Sequence, residues 1–354
     1  MDIDVSGFLS GSEALLPEGF FVGNAQDETA RTGCTVILCP AGAVAGVDVR
    51  GAAPATRETD LLRPENMVPE IHAVLFCGGS AYGLDAASGV MRYLEECGHG
   101  LLYANTVVPI VCAAALFDLL SGDADVRPDA AMGLAACQAA AAQLTVGRVG
   151  AGCGATVGKL LGMASTMPGG LGACSFIAGD LLVTAVVVVN ALGNIYDASS
   201  GRALAGTLDP LGEKPQIIDP LLAFSLSAAA TEPGGAGGWG GGDWGGGFAA
   251  GSGDWGGGSP GSGFAAGSGG AGSACPNTTL GCVLTNANLS KAQANRVAMM
   301  AHDGYARAIH PVHTSNDGDA IFCMARGTVG AHPDLVGTLA ALAMEHAIHN
   351  AVSQ

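Results

Sequence analysis

The sequence predicts a layered α+β fold on a largely antiparallel or mixed sheet, not a doubly wound one. Three observations predict it. Strand-like and helix-like segments alternate without regular βαβ spacing. The run LLVTAVVVVN (181–190) is apolar and β-branched, as a strand covered on both faces must be. Apolar residues make up 49% of the 354 residues and charged residues only 13%, so the chain can fill a large core.

The elements follow in order. CTVILC (34–39), AGVDVR (45–50) and HAVLFC (72–77) read as strands. A helix is expected over 82–96, with Leu84, Ala87, Val90 and Leu94 on one face. Pro128-Asp129 opens an Ala-rich helix expected to run to about Leu144 and to be buried. Gly-rich sequence (147–159) precedes the 181–190 strand. LGCVLTN (280–286) reads as a strand, and Ser290 caps a helix over 291–309. The loop HPVHTSNDGD (310–319), a strand at 320–325 and a helix from Pro333 to about Val352 complete the chain.

Residues 233–274 differ in kind. DWGGG and GFAAGSG each occur twice there, and all three tryptophans (Trp239, Trp244, Trp255) fall inside the segment. Ordering so glycine-rich a chain costs too much backbone entropy, and a disordered linker is expected.

Composition narrows the function. Net charge is −17 with 14 Lys and Arg, which disfavours nucleic acid and mildly favours an amine-bearing ligand. No run of apolar residues is long enough to span a membrane, and the start MDIDVSGFLSGSE lacks the marks of a signal peptide, so a cytoplasmic location is expected. The eleven cysteines form no CxxC, and buried reduced thiols are expected. So little charge over so large a chain favours homo-oligomerisation.

Three motifs fail. GGSAYG (78–83) has Ser80 where a dinucleotide loop needs glycine and Tyr82 where a nucleophile elbow does, leaving a tight strand-to-helix turn. GCGATVGK (152–159) has Cys153 and Leu160 where a P-loop needs glycine and a hydroxyl. His310 and His313, with Asp317 and Asp319, lack the spacing of a metal centre.

What remains is Asn277-Thr278-Thr279, set between the Gly-rich segment and an apolar strand. A Thr hydroxyl held against the preceding carbonyl can attack it. Hydrolysis of the resulting ester frees Thr278 as a new N-terminus. Its α-amino group, with a pKa of about 7.7–8.0, can then take the hydroxyl proton. Taken alone, the same tripeptide is equally served by turn chemistry and a strand-favouring Thr.

The surrounding sequence adds a resemblance. NTTLGCVLTNANLSKAQANRVAMMAHDGYARAIHPVHTSNDGDAIFCMA (277–325) resembles the C-terminal part of the self-cleaving aminopeptidase/amidase family of the S58 peptidase type. That family includes D-stereospecific aminopeptidase/D-esterases, β-aminopeptidases and nylon-oligomer (6-aminohexanoate) hydrolases. RTGCTVILCPAGAVAGVDVRGAAPATRETDLL (31–62), CGGSAYGLDAASGVMRYLEE (77–96) and VRPDAAMG (126–133) resemble its N-terminal half. The likeness covers about 20–230 and 275–350.

The resemblance implies a four-layer αββα sandwich of N-terminal-nucleophile type. It implies one domain built from chains 1–277 and 278–354, cut between Asn277 and Thr278, with Thr278 as nucleophile. Lys159 is similar to the lysine that activates the hydroxyl. Asn190 matches an asparagine that helps hold the oxyanion. Asp317 and Asp319 look like an acidic pair that orients Lys159 and the new amine. The resemblance further implies a tetramer or larger, no cofactor, and small amine-terminated peptide or amide substrates.

Each implied role makes physical sense. Burial drives a lysine toward its neutral base form, while nearby carboxylates oppose that and fix its position. An amide donor at a strand end can be aimed at developing negative charge. Each also has an ordinary alternative: a snorkelling lysine, a turn asparagine, a turn-forming Asn-Asp-Gly. Phe117 departs from the family, because some members carry a Tyr there, so an oxyanion partner falls to Asn190 or a backbone N–H. Ornithine acetyltransferases, which also self-cleave before a Thr, and a non-enzymatic scaffold carrying the Gly/Trp segment are the competing readings.

Overall fold

In the computed structural model, residues 7–210, 216–229 and 277–353 are described. The reading of 233–274 as a disordered linker lies outside them, as do the three tryptophans.

Among the described residues, ten strands form one hydrogen-bonded sheet. They are β1 (Gly7–Ser10), β2 (Phe21–Asp27), β3 (Thr32–Val49), β4 (Ala55–Arg57), β5 (Ile71–Cys77), β6 (Val111–Ala115), β7 (Gly170–Ala178), β8 (Leu181–Asn190), β9 (Thr278–Ala287) and β10 (Ala320–Val329). Their order is β1-β7-β8-β9-β10-β3-β5-β6-β4, with β2 also on β3. The pairs β9–β10 and β5–β6 are parallel and the others antiparallel, so the sheet is mixed as expected.

The path folds over at β3. Its first half, from Thr32 to Leu38, pairs with β2 and β5, and its second half, Val44 to Val49, pairs with β10. The two strands expected at 34–39 and 45–50 are therefore one strand of 18 residues. Between the halves, Pro40-Ala41-Gly42 breaks the alternation, and Gly42 has φ +87°, where a Cβ would be strained. The register with β5 shifts between Leu38 and Ala43, so one strand serves two leaves.

Three buried clusters separate four layers. On the outer face of the first leaf, Val183, Val187 and Val189 of β8 and Ile321 and Cys323 of β10 pack against two helices, α3 (Lys291–Ala308) and α4 (Pro333–Val352). Between the leaves, Val186, Val188, Leu280, Leu284 and Phe322 meet Ile37, Val74 and Phe76. Outside the second leaf, Val36, Leu75 and Ala113 lie under α1 (Ala86–Glu96) and α2 (Ala130–Gln138). This is the αββα sandwich. Each Val or Leu so buried contributes roughly 1.5–3 kcal/mol.

The helix signals hold with two corrections. Ser290 caps α3 through a full capping box with Gln293, and Pro333 opens α4. The first turn of the 82–96 helix is instead a tighter 3₁₀ turn over Ser80–Asp85. The Ala-rich helix stops at Gln138 and buries only Gly133, Ala136 and Cys137. It ends early because Ala141 exchanges backbone hydrogen bonds of 2.9 and 3.0 Å with Val22 of β2. Every cysteine among the described residues is a free thiol. Among those residues no helix is long and apolar enough to cross a membrane.

Candidate active site

The site lies where β8 ends and β9 begins. Thr278 is the first residue of β9 and stands across from Asn190, the last residue of β8. Both are buried. The Thr278 hydroxyl donates to the carbonyl oxygen of Asn277. That oxygen also accepts the N–H of Gly318 at 2.9 Å, and the N–H of Asn277 reaches Asn316 O at 3.1 Å. The residues before β9 and β10 thus continue their parallel pairing, Asn277 beside Asp317.

Gly318 is required by this closeness. A Cβ there would lie 2.7 Å from the Thr278 hydroxyl oxygen and 2.9 Å from Ala53 O. The glycine of NDGD is thus what lets the loop backbone approach the threonine.

Lys159 is 4% exposed. Its Nζ donates to Asn190 O at 2.9 Å and to Asn190 Oδ1 at 2.8 Å. Asn190 Oδ1 also accepts Thr156 N at 3.0 Å, and Nδ2 donates to Phe117 O at 2.9 Å. One N–H of the Asn190 amide is therefore held on the backbone of 117, which fixes the plane of the amide and the direction of its second N–H. The bond uses the carbonyl of Phe117, so it does not depend on whether Phe or Tyr stands there.

Asp317 and Asp319 are both buried. Thr314 N donates to Asp317 Oδ2 at 2.6 Å. Asp319 Oδ1 accepts Thr279 N at 2.7 Å. Burial first, and then the charge of Asp319, push the Asp317 carboxyl up to about 6, against the hydrogen bonds from Thr314 and the positive field of Lys159. The sign of the pH effect follows. A raised carboxyl favours the folded state in its protonated form, so that contribution is present below about pH 4 and is lost as pH rises toward 6. Asp317→Asn is expected to remove this slope and to be more stable than wild type at pH 7 by on the order of 2 kcal/mol. Urea unfolding of both proteins at pH 4 and pH 7 measures it, and an unchanged difference between the two pH values would contradict it.

The sequence reading missed Asp118. It follows Phe117 in an apolar run, and a lone carboxylate in such a run was the available signal. It is buried, accepting Thr32 Oγ1 at 2.8 Å and Gly79 N at 2.7 Å. Burial raises its pKa, and Lys159 is among the charges that oppose this. It therefore lies within the field of the same lysine. The tight turn expected at 78–83 is the one it anchors, with Gly79 at φ +75°. His313, weighed as a metal ligand, instead places Nδ1 2.8 Å from Asp319 Oδ2. His310 sits elsewhere, stacked on Tyr196 at 5.2 Å. Among the described residues no group of three or more His, Cys, Asp or Glu is placed to hold a metal.

The chain matches Peptidase family S58 over residues 3–354. An uncharacterized aminopeptidase of Mycobacterium tuberculosis is 39% identical over 320 residues, 90% of this chain and 80% of that protein. A 6-aminohexanoate-oligomer endohydrolase of Paenarthrobacter ureafaciens is 28% identical over 347 residues, 93% of this chain and 83% of that one. The solved L-aminopeptidase D-Ala-esterase/amidase of Ochrobactrum anthropi, described as a variant of the Ntn hydrolase fold, superposes with a TM-score of 0.63 at 16% identity, covering 97% of this chain and 86% of the other. The four layers of this chain are thus those of the Ntn hydrolase fold. The chain belongs to peptidase family S58 and is a hydrolase of peptide or amide bonds.

Proposed function

We propose that the chain cuts itself between Asn277 and Thr278 and then uses Thr278 as the nucleophile of an aminopeptidase or amidase. The observation that carries this reading is the convergence on one carbonyl. The Asn277 oxygen receives the Gly318 N–H and the hydroxyl of the next residue together. The fixed Gly318 N–H favours the charge that develops on that oxygen when the carbon is attacked, and the hydroxyl held beside it is the group that attacks. The Thr278 oxygen bonds to the Asn277 carbonyl carbon, the C–N bond breaks, and the nitrogen leaves as the α-amine of Thr278. Water then hydrolyses the ester.

Lys159 supports the same assignment. Asn190 is in register with Thr278 and holds the lysine by two hydrogen bonds. Lys159 and the new α-amine are the two candidate bases for the hydroxyl. Asp317 and Asp319 supply negative charge opposite an amine-terminated substrate, in keeping with the net charge of −17. The substrates are short peptides, amino acid amides or ω-amino acid oligomers, the last being the class named for the Paenarthrobacter relative. Acyl transfer to Thr278 gives an ester that water resolves, with no cofactor in the scheme.

Intact-mass measurement of the purified protein tests this. Two pieces, 1–277 and 278–354, are expected. A single chain of 34.8 kDa with no N-terminus at Thr278 would overturn it.

A further inference from the structure

We propose that His313 is a positioning residue for the reaction: it clamps one oxygen of Asp319 so that the other stays on the N–H of Thr279, beside the nucleophile. This rests on the assignment of Thr278.

The clamp is two-pronged. The backbone N–H of His313 reaches Asp319 Oδ2 at 3.2 Å, and its ring Nδ1 reaches the same oxygen at 2.8 Å. A carboxylate oxygen only accepts, so Nδ1 carries the proton. To present both donors at once the residue takes φ +56°. That conformation is strained for histidine, and such strain persists only where the surroundings impose it. Asp319 Oδ1 then holds Thr279 N at 2.7 Å, within the peptide unit that follows the nucleophile.

The groups around His313 leave Asp319 as its anionic partner. From α3, His302 meets its ring edge-on at 4.8 Å and Tyr305 lies at 6.0 Å. His302 is fully buried, and burial pushes it down to about 4, so it is neutral at working pH. Burial pushes the Tyr305 phenol far up, so it is neutral too. Asp48 and Arg50, beyond His302, act on that ring, where Asp48 O lies 3.1 Å from Nε2. Asp319 acts in turn on Asp317, which also lies in the field of Lys159. A neutral aromatic wall on one side and a buried carboxylate on the other fix the direction of the Nδ1–H bond.

Two substitutions that both tolerate positive φ separate the donor from the backbone. His313→Asn keeps a side-chain N–H, and His313→Gly removes it. His313→Gly is expected to cut itself at least about tenfold more slowly, with kcat on an amino acid p-nitroanilide down by a similar factor at near-constant KM. Added imidazole should restore part of the rate. His313→Asn should stay within about threefold of wild type. Should His313→Gly not fold, His313→Asp replaces it, since an acceptor at that position repels Asp319.

Wild-type cutting and kcat in His313→Gly would overturn the proposal. So would an equal loss in His313→Asn at wild-type melting temperature, because ring shape and not the donor would then matter. If the wild-type chain itself stays uncut, the assignment of Thr278 falls instead, whatever the variants do.

Discussion

Thr278→Ala is expected to leave one uncut chain and to lower hydrolysis by about 10⁴-fold or more, since removing a nucleophile leaves only binding and oxyanion donors. The fold should survive. The hydroxyl makes one hydrogen bond, to Asn277 O, worth about 1 kcal/mol to stability. Circular dichroism and intact mass on the same sample separate the two effects. Thr279→Val is the matched control. The Thr279 hydroxyl is buried and without a hydrogen-bond partner, so its loss should keep the cut at Thr278. A chain that still cuts as Thr278→Ala, or stops cutting as Thr279→Val, would assign the chemistry to the second hydroxyl.

Lys159→Met is expected to lower kcat by on the order of 10²–10³ while the protein stays folded. Methionine fills similar space, but Asn190 O and Oδ1 lose their shared donor. Asp317 also loses the positive field that lowers it, so its protonated form should persist to higher pH. Lys159→Arg decides what the lysine does. Arginine keeps the charge but does not release its proton at working pH. Loss of activity in both variants, measured by single-turnover acylation, marks a base. Retention in Lys159→Arg alone would make Lys159 an electrostatic prop.

Much of this is legible in the sequence. The LLVTAVVVVN run is a strand covered on both faces because its alternate residues feed two different clusters. The last helix has the expected start because Pro333 fits the first turn of a helix, where its missing N–H is not needed. What sequence could not show depends on distance along the chain. Lys159 and Asn190 are 31 residues apart, and no local period connects them; only the family resemblance did. Asp118 finds Thr32 from 86 residues away. Among its neighbours in sequence His313 suggests a ligand set, but its partner is fixed by the fold-back of 313 onto 319. The single strand from 32 to 49 looks like two in sequence because its bend at Pro40-Ala41-Gly42 resembles a turn.

The placement of β9 and β10 has one more consequence. Both lie between β8 and β3, strands from the other side of the Asn277-Thr278 bond, and they carry α3 and α4 as a complete outer layer. A cut chain therefore cannot come apart without breaking two central ladders and the core beneath them. The two pieces would unfold together as one unit. Refolding would then be a second-order encounter between fragments, so dilution should slow it while the native protein stays indifferent to concentration. At high dilution the cut protein would then be held by its unfolding barrier.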